Sequence, residues 1–175
     1  MPNHGAAVAA RLNGDDYQHL IAWREALNLL RPRTGVAIVR VEDEDALSVD
    51  DVTVQYESGC GRPNQYFQIK YHVDHRQAYS SDAMLEKRTA NASSLLQKFW
   101  RTYLAMAQRS ADTFELTLIS NWSWDVEDKF AAVIDGQDGS IKKDFLLASA
   151  GSDLGKIRER WRLHLGATEE QFAAF

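Results

Sequence analysis

Three side chains near the middle of the sequence have the types and spacing for phosphoryl chemistry. Asp51, Gln68 and Lys70 form the pattern D-x16-Q-x-K. A carboxylate and an amide oxygen at one end of adjacent strands can ligate a hard cation such as Mg²⁺ (or Mn²⁺), which takes oxygen ligands and keeps several waters. Such an ion lowers the pKa of a bound water, polarises a scissile phosphate and offsets the charge that develops on it. Lys70, one pleat beyond Gln68 on the same strand face, can orient the attacking water or meet the phosphate. The spacing of two matters, because a lysine at position 69 would point to the opposite side. By itself a Q-x-K is the ordinary polar face of an amphipathic strand, so the argument rests on the elements around it.

Neighbouring residues compete for the same roles. Asp50 is the alternative ligand to Asp51; Asp51 is preferred because it immediately precedes Val52 and shares the parity of Thr53 and Gln55 on the polar face. Glu42 is the best placed of the acidic run 42–45 to supply a second ligand, although an acidic run after a strand is more often a solvated loop. Gln18 and Glu25 share a helix face, since seven residues make close to two turns. Gln18 is the candidate to look into the site, and Glu25 reads as surface. His72, which follows Lys70 on the same face, and Arg76 are candidate phosphate contacts.

These residues need elements to carry them. Asp15 to Leu30 repeats Tyr17, Leu20, Ile21, Trp23, Ala26, Leu27 and Leu30 at helical spacing, with Asn13 or Asp15 as a cap and Arg31-Pro32 as the stop. Val36 to Glu42 is β-branched, Asp51 to Glu57 alternates, and Gln65 to His72 alternates again after the turn SGCGRPN. The last two strands read as a hairpin that brings Asp51 beside Gln68 and Lys70. Ala90 to Arg109 restores helical periodicity, with Trp100, like Trp23, assigned to the core, and Phe114 to Ser120 is a further strand. The order α-β-β-β-α-β predicts an α/β core, a mixed central sheet flanked by helices. Beyond it, a short helix is expected over 126–134, a turn over 135–140 and an amphipathic helix over Leu154 to Leu165. The closing ATEEQFAAF reads as the start of another helix, so the sequence reads as the N-terminal part of a longer protein. The expectation is a single domain over 1–175, with a core of about 14–121 and a helical extension over 122–175.

A formal net charge of −5 argues against non-specific coating of nucleic acid, which needs a basic surface, but leaves room for an enzyme acting on it. Arg24, Lys70, His72, His75, Arg76, Lys87, Arg88 and Lys98 are the positive residues that one face could gather. No apolar run is long enough to span a bilayer and the N-terminus lacks signal-peptide character, so a cytoplasmic protein without membrane contact is expected. Cys60 is the only cysteine, which excludes an intramolecular disulfide and a cysteine metal cluster. There is no Gly-rich phosphate loop and no nucleophile elbow.

The α-β-β-β-α-β order with D…(E/Q)-x-K resembles the PD-(D/E)XK, or restriction-endonuclease-like, superfamily. More narrowly, GDDYQHLIAWREALNLL, VRVEDEDALSVDDVTVQ, YFQIKYH and LISNWSWDVEDKF, in that order from Gly14 to about Trp161, resemble the N-terminal nuclease domain of CD-NTase-associated (CBASS-type) antiphage effectors and related defence proteins. The resemblance implies that Asp51 is the strand-initiating metal ligand, that Gln68 stands where a glutamate is more usual, that Lys70 is the catalytic lysine and that Gln18 is the first-helix glutamine. It further implies double-stranded DNA as substrate, Mg²⁺ or Mn²⁺ as cofactor, and activation as a homo-oligomer driven by a C-terminal sensor domain absent from this chain. Two alternatives stay open: a catalytically silent module that binds nucleic acid or protein, and a repair or restriction nuclease of the same fold.

Overall fold

The computed structural model describes residues 4–74, 76–109 and 113–175; His75 lies outside the described residues. The expected order is realised as α1 (His4–Ala26), β1 (Val36–Val41), β2 (Val52–Tyr56), β3 (Asn64–Lys70), α2 (Leu95–Arg109) and β4 (Phe114–Ser120). The strands form one mixed sheet in the order β1-β2-β3-β4. The first three are antiparallel neighbours joined by short connections, whereas β4 returns through α2 and pairs parallel to β3 from Asn64↔Phe114 to Lys70↔Ser120. The protein is thus an α/β fold with a mixed sheet flanked by helices. Among the described residues no helix is long and apolar enough to cross a membrane.

The chain divides into two compact units, Met1–His75 with Arg101–Asn121, and Arg76–Trp100 with Trp122–Phe175. In the first, Ile21 and Ala22 of α1 pack on Val36, Val52, Val54, Phe67 and Ile69, with Tyr17 and Ile119 at the margin. These strand residues alternate, which turns Thr53, Tyr66 and Gln68 to the opposite face. There Tyr103 of α2 meets Phe114, and Phe114 meets Tyr66 edge-on. The Thr102 hydroxyl fastens α2 to the β1–β2 connection, donating to the Ala46 carbonyl and accepting from the Ser48 N–H.

Several expectations need correction. α1 begins at His4, not at a cap on Asn13 or Asp15, because the alanine-rich stretch before Gly14 has enough helix propensity to continue through the glycine. It tightens into a 3-10 turn over Leu27–Leu30 and stops at Arg31, which is extended as the following Pro32 requires. Trp23 is not a core residue: the buried face carries Ile21, Ala22 and Glu25, and Trp23 is exposed. Glu25, expected at the surface, is buried and held by Arg24 Nε at 2.7 Å and Asn28 Nδ2 at 3.1 Å. β3 ends at Lys70, so His72 does not extend its face. The acidic run is not a plain solvated loop, since Asp43 is buried and caps the 3-10 turn Glu44–Ala46 by accepting the Asp45 N–H. α2 starts at Leu95 rather than Ala90, because Ser94 and Gln97 exchange side-chain and backbone bonds as a capping box.

In the second unit the expected helix over 126–134 is a 3-10 turn, Lys129–Val133. α3 (Lys143–Leu146) was not foreseen; α4 (Asp153–Leu165) and α5 (Glu169–Ala174) fall where helices were expected. Phe130, Phe145, Trp161 and Phe172 form an aromatic core, and Trp100 is buried in this unit against Phe175. Asp128 organises its polar interior. Burial raises its pKa, but the N–H groups of Phe130 and Ser81, the Ser81 hydroxyl and Arg160 outweigh that effect and hold the carboxyl below its ordinary value. Asp128→Ala is expected to cost about 1–3 kcal/mol in denaturant unfolding. Because the folded pKa is depressed, the contribution of Asp128 is complete above the ordinary value of 3.8 and is lost as pH falls through the lower folded value. Acid titration of the parent and the variant should therefore converge.

Candidate active site

The register Val52↔Phe67 and Thr53↔Tyr66 sets Asp51 beside Gln68 at the end of the β2–β3 pair. One oxygen, Asp51 Oδ2, collects the contacts. It accepts the Gln68 side-chain amide and the backbone N–H of Ile69, and lies 4.0 Å from Lys70 Nζ. The Asp51 side chain keeps 14% of its surface and that of Lys70 34%, so the pair opens to solvent above a buried Gln68. The structure thus brings Asp51, Gln68 and Lys70 together. The backbone carbonyl of the neighbouring Asp50 accepts the Asp43 N–H.

The start of β2 is tied down from α1. Gln18 Nε2 donates to Glu42 Oε1 at 2.6 Å and to the Asp51 carbonyl at 3.3 Å, and the Glu42 N–H reaches the same carbonyl at 3.3 Å. Glu42 adopts a left-handed backbone conformation, φ 52°, directly after β1, and this turn carries its carboxylate to Gln18. Gln18 and Glu42 therefore stand next to the site through the main chain of Asp51. Arg76 is exposed and belongs to the second unit.

One residue lies within the LISNWSW segment but is not among the candidate site residues of the sequence. Asn121, immediately after β4, accepts the His72 N–H at 2.8 Å and donates to the His72 carbonyl at 2.7 Å. This two-bond clamp fixes the chain just beyond Lys70 in place of further strand pairing. The signal was present as an asparagine at a strand end, a residue suited to binding backbone groups. Its target is 49 residues away, which no local pattern reveals.

Whether these residues suit a cation turns on the donor set. Among the described residues no three His, Cys, Asp or Glu side chains gather as a metal cluster. The oxygens at hand are those of Asp51 and Gln68 Oε1, which is buried with no hydrogen-bond partner. Thr53 Oγ1, on the same sheet face, shares that condition. A buried acceptor without a partner costs about 1–3 kcal/mol, and an ion would satisfy it. Two protein oxygens match what Mg²⁺ takes when it retains much of its water. The amide now turns Nε2 toward Asp51, so both oxygens can face one ion only after rotation about its terminal torsion, which is broad and roughly two-fold. After that rotation Asp51 and Gln68 would hold a divalent cation weakly and with much of its water retained.

Compared with models of known families and with curated proteins, the sequence gives no match.

The fit can be tested without any assay of activity. Gln68→Glu sets a second carboxylate against Asp51 and removes a donated hydrogen bond. In EDTA it should lower stability by at least about 1–3 kcal/mol. Mg²⁺ or Mn²⁺ should raise the melting temperature of this variant by more than that of the parent, as read by calorimetry. An equal response of both proteins would count against a cation between these side chains.

Proposed function

We propose that this chain is a metal-dependent endonuclease domain of the PD-(D/E)XK type that hydrolyses phosphodiester bonds in double-stranded DNA, the effector part of an antiphage defence protein. The observation that carries the reading is the convergence of Gln68, Ile69 N–H and Lys70 on one oxygen of Asp51, at the strand ends of an α-β-β-β-α-β core. The fold and trio are compatible with that superfamily. The defence role, the DNA substrate, activation as a homo-oligomer and a C-terminal sensor domain rest on the resemblance of the motifs alone.

In this reading Asp51 and, once its amide has turned, Gln68 Oε1 would hold Mg²⁺ or Mn²⁺. When bound, the ion supplies charge neutralisation at the phosphate and an acidified water. Lys70, with its ammonium 4.0 Å from Asp51 and partly open to solvent, meets a phosphate oxygen and offsets its negative charge. The ion pair with Asp51 holds the long lysine side chain near the point where the phosphate must arrive. Gln18 and Glu42 keep the start of β2 in register, and Asn121 does the same for the chain after Lys70. His72, whose backbone Asn121 holds, and Arg76 are further candidates to contact the DNA backbone. With a net charge of −5, binding rests on such local groups rather than on overall charge.

A second reading, a catalytically silent nuclease-like module, draws on one observation. The Gln68 amide donates a hydrogen bond to Asp51 where a glutamate would add a second anionic ligand. Plasmid cleavage in Mg²⁺, in EDTA and by Lys70→Ala separates the two. The nuclease reading expects cleavage that EDTA abolishes and that Lys70→Ala lowers by roughly 10²–10³-fold, with DNA binding retained. Because such an enzyme can need assembly, the assay is repeated with the chain fused to an inducible dimerisation module. Binding of DNA without cleavage in both formats supports the silent module, and cleavage indifferent to EDTA and to Lys70→Ala overturns the mechanism.

A further inference from the structure

α1 is apolar on two opposite sides. One side, with Ile21 and Ala22, is buried in the core of the first unit. The other carries Leu20 and Trp23 and continues through Leu27 and Leu30 of the following 3-10 turn, with relative exposures of 66%, 69%, 49% and 81%. At 3.6 residues per turn this second stripe lies across the helix from the first, and Leu12, also exposed, extends it toward the N-terminus. Scattered exposed leucines need no explanation, but a continuous stripe centred on a tryptophan does.

The spacing identifies what fits the stripe. Leu20, Trp23, Leu27 and Leu30 follow one another at intervals of three, four and three, the alternation of a two-helix seam. The 3-10 turn over Leu27–Leu30 keeps its two end leucines in line, because residues three apart eclipse in that geometry. Charge then sets direction. Exposed Asp15 and Asp16 precede Leu20 and outnumber exposed Arg11, and exposed Arg31 and Arg33 follow Leu30, while exposed Arg24 beside Trp23 is already paired with Glu25. Two such helices laid antiparallel pair Leu20 with Leu30 and Trp23 with Leu27, and bring the aspartates of each to the arginines of the other. A parallel pair would set like charges together at both ends. A surface that complements itself under a two-fold rotation is the mark of an isologous dimer.

We infer that the Leu20–Trp23–Leu27–Leu30 seam is a homodimer interface, on which α1 of a second copy packs antiparallel. The stripe offers on the order of 400–600 Å² per copy, short of the roughly 800 Å² per partner of a standard interface. The dimer is therefore weak and forms with rising concentration. The inference gives a location to the self-association already proposed, rests on α1 rather than on the nuclease chemistry, and has mass rather than cleavage as its readout.

Sedimentation equilibrium of the full chain from micromolar to near-millimolar concentration should give an average mass that climbs from 19.8 kDa toward twice that value. Trp23→Glu and Leu30→Glu should each weaken association at least tenfold while circular dichroism stays that of the parent. Asp16→Arg should also weaken it, and adding Arg31→Asp with Arg33→Asp to the same chain should restore it, a result only the antiparallel arrangement gives. If Trp23→Glu does not fold, Leu30→Glu and the charge exchange carry the test. A mass that stays at the monomer value throughout, or a dimer indifferent to these substitutions, overturns the inference and leaves the seam to another occupant.

Discussion

Pairing Val52 with Phe67 and Thr53 with Tyr66 puts Asp51 against Gln68 on the polar side of the sheet, and the candidate site depends on that register. A slip of one residue would turn one strand over against the other, sending either Thr53 of β2 or Gln68 of β3 into the apolar layer under α1 and part of that layer to the other side. The slip is opposed on both faces. Val52, Val54, Phe67 and Ile69 are buried beneath α1, and Thr53 and Gln68 are buried on the reverse. The Ile69 N–H adds a lock of its own, because it donates to the Asp51 carboxylate. The same carboxylate thus ends the β2–β3 hairpin and forms the centre of the polar cluster.

Much of this was legible in the sequence. The alternation in DVTVQYE and QYFQIKYH assigned the right faces to Asp51, Gln68 and Lys70, because period-2 patterning reports the same burial that drives pairing. β4 was bounded correctly for a similar reason, a short β-branched and apolar run between polar segments. The errors cluster where the determining contact is distant or where a helix has two apolar sides. Trp23 was assigned to the core because it fits a helical period as well as Ile21 does, and only the sheet decides which period faces inward. Glu25 was placed at the surface although Arg24 and Asn28 satisfy it under cover. The Ser94–Gln97 capping box is readable as S-x-x-Q, but the alanines before it carry the helical propensity further back than the helix runs.

The site itself was legible as to residue type but not as to state. The D-x16-Q-x-K pattern names the participants, whereas the orientation of the Gln68 amide and the orphaned Oε1 follow from three-dimensional packing. Glu42 illustrates the difference. Its type and position suggested a ligand, yet a left-handed turn after β1 delivers its carboxylate to Gln18, so its link to the site runs through the Asp51 main chain. Nothing in the run EDED predicts that turn.

The separations along the chain differ sharply between the parts of this site. Gln68 is only 17 residues from Asp51, within one hairpin, while Asn121 reaches back 49 residues to His72. Closing the shorter loop costs less chain entropy, so the hairpin can assemble its polar cluster before β4 arrives. The clamp on His72 can form only once α2 has brought β4 alongside β3. Asp51, Gln68 and Lys70 therefore lie within one hairpin, whereas the clamp on the chain beyond them is supplied from β4.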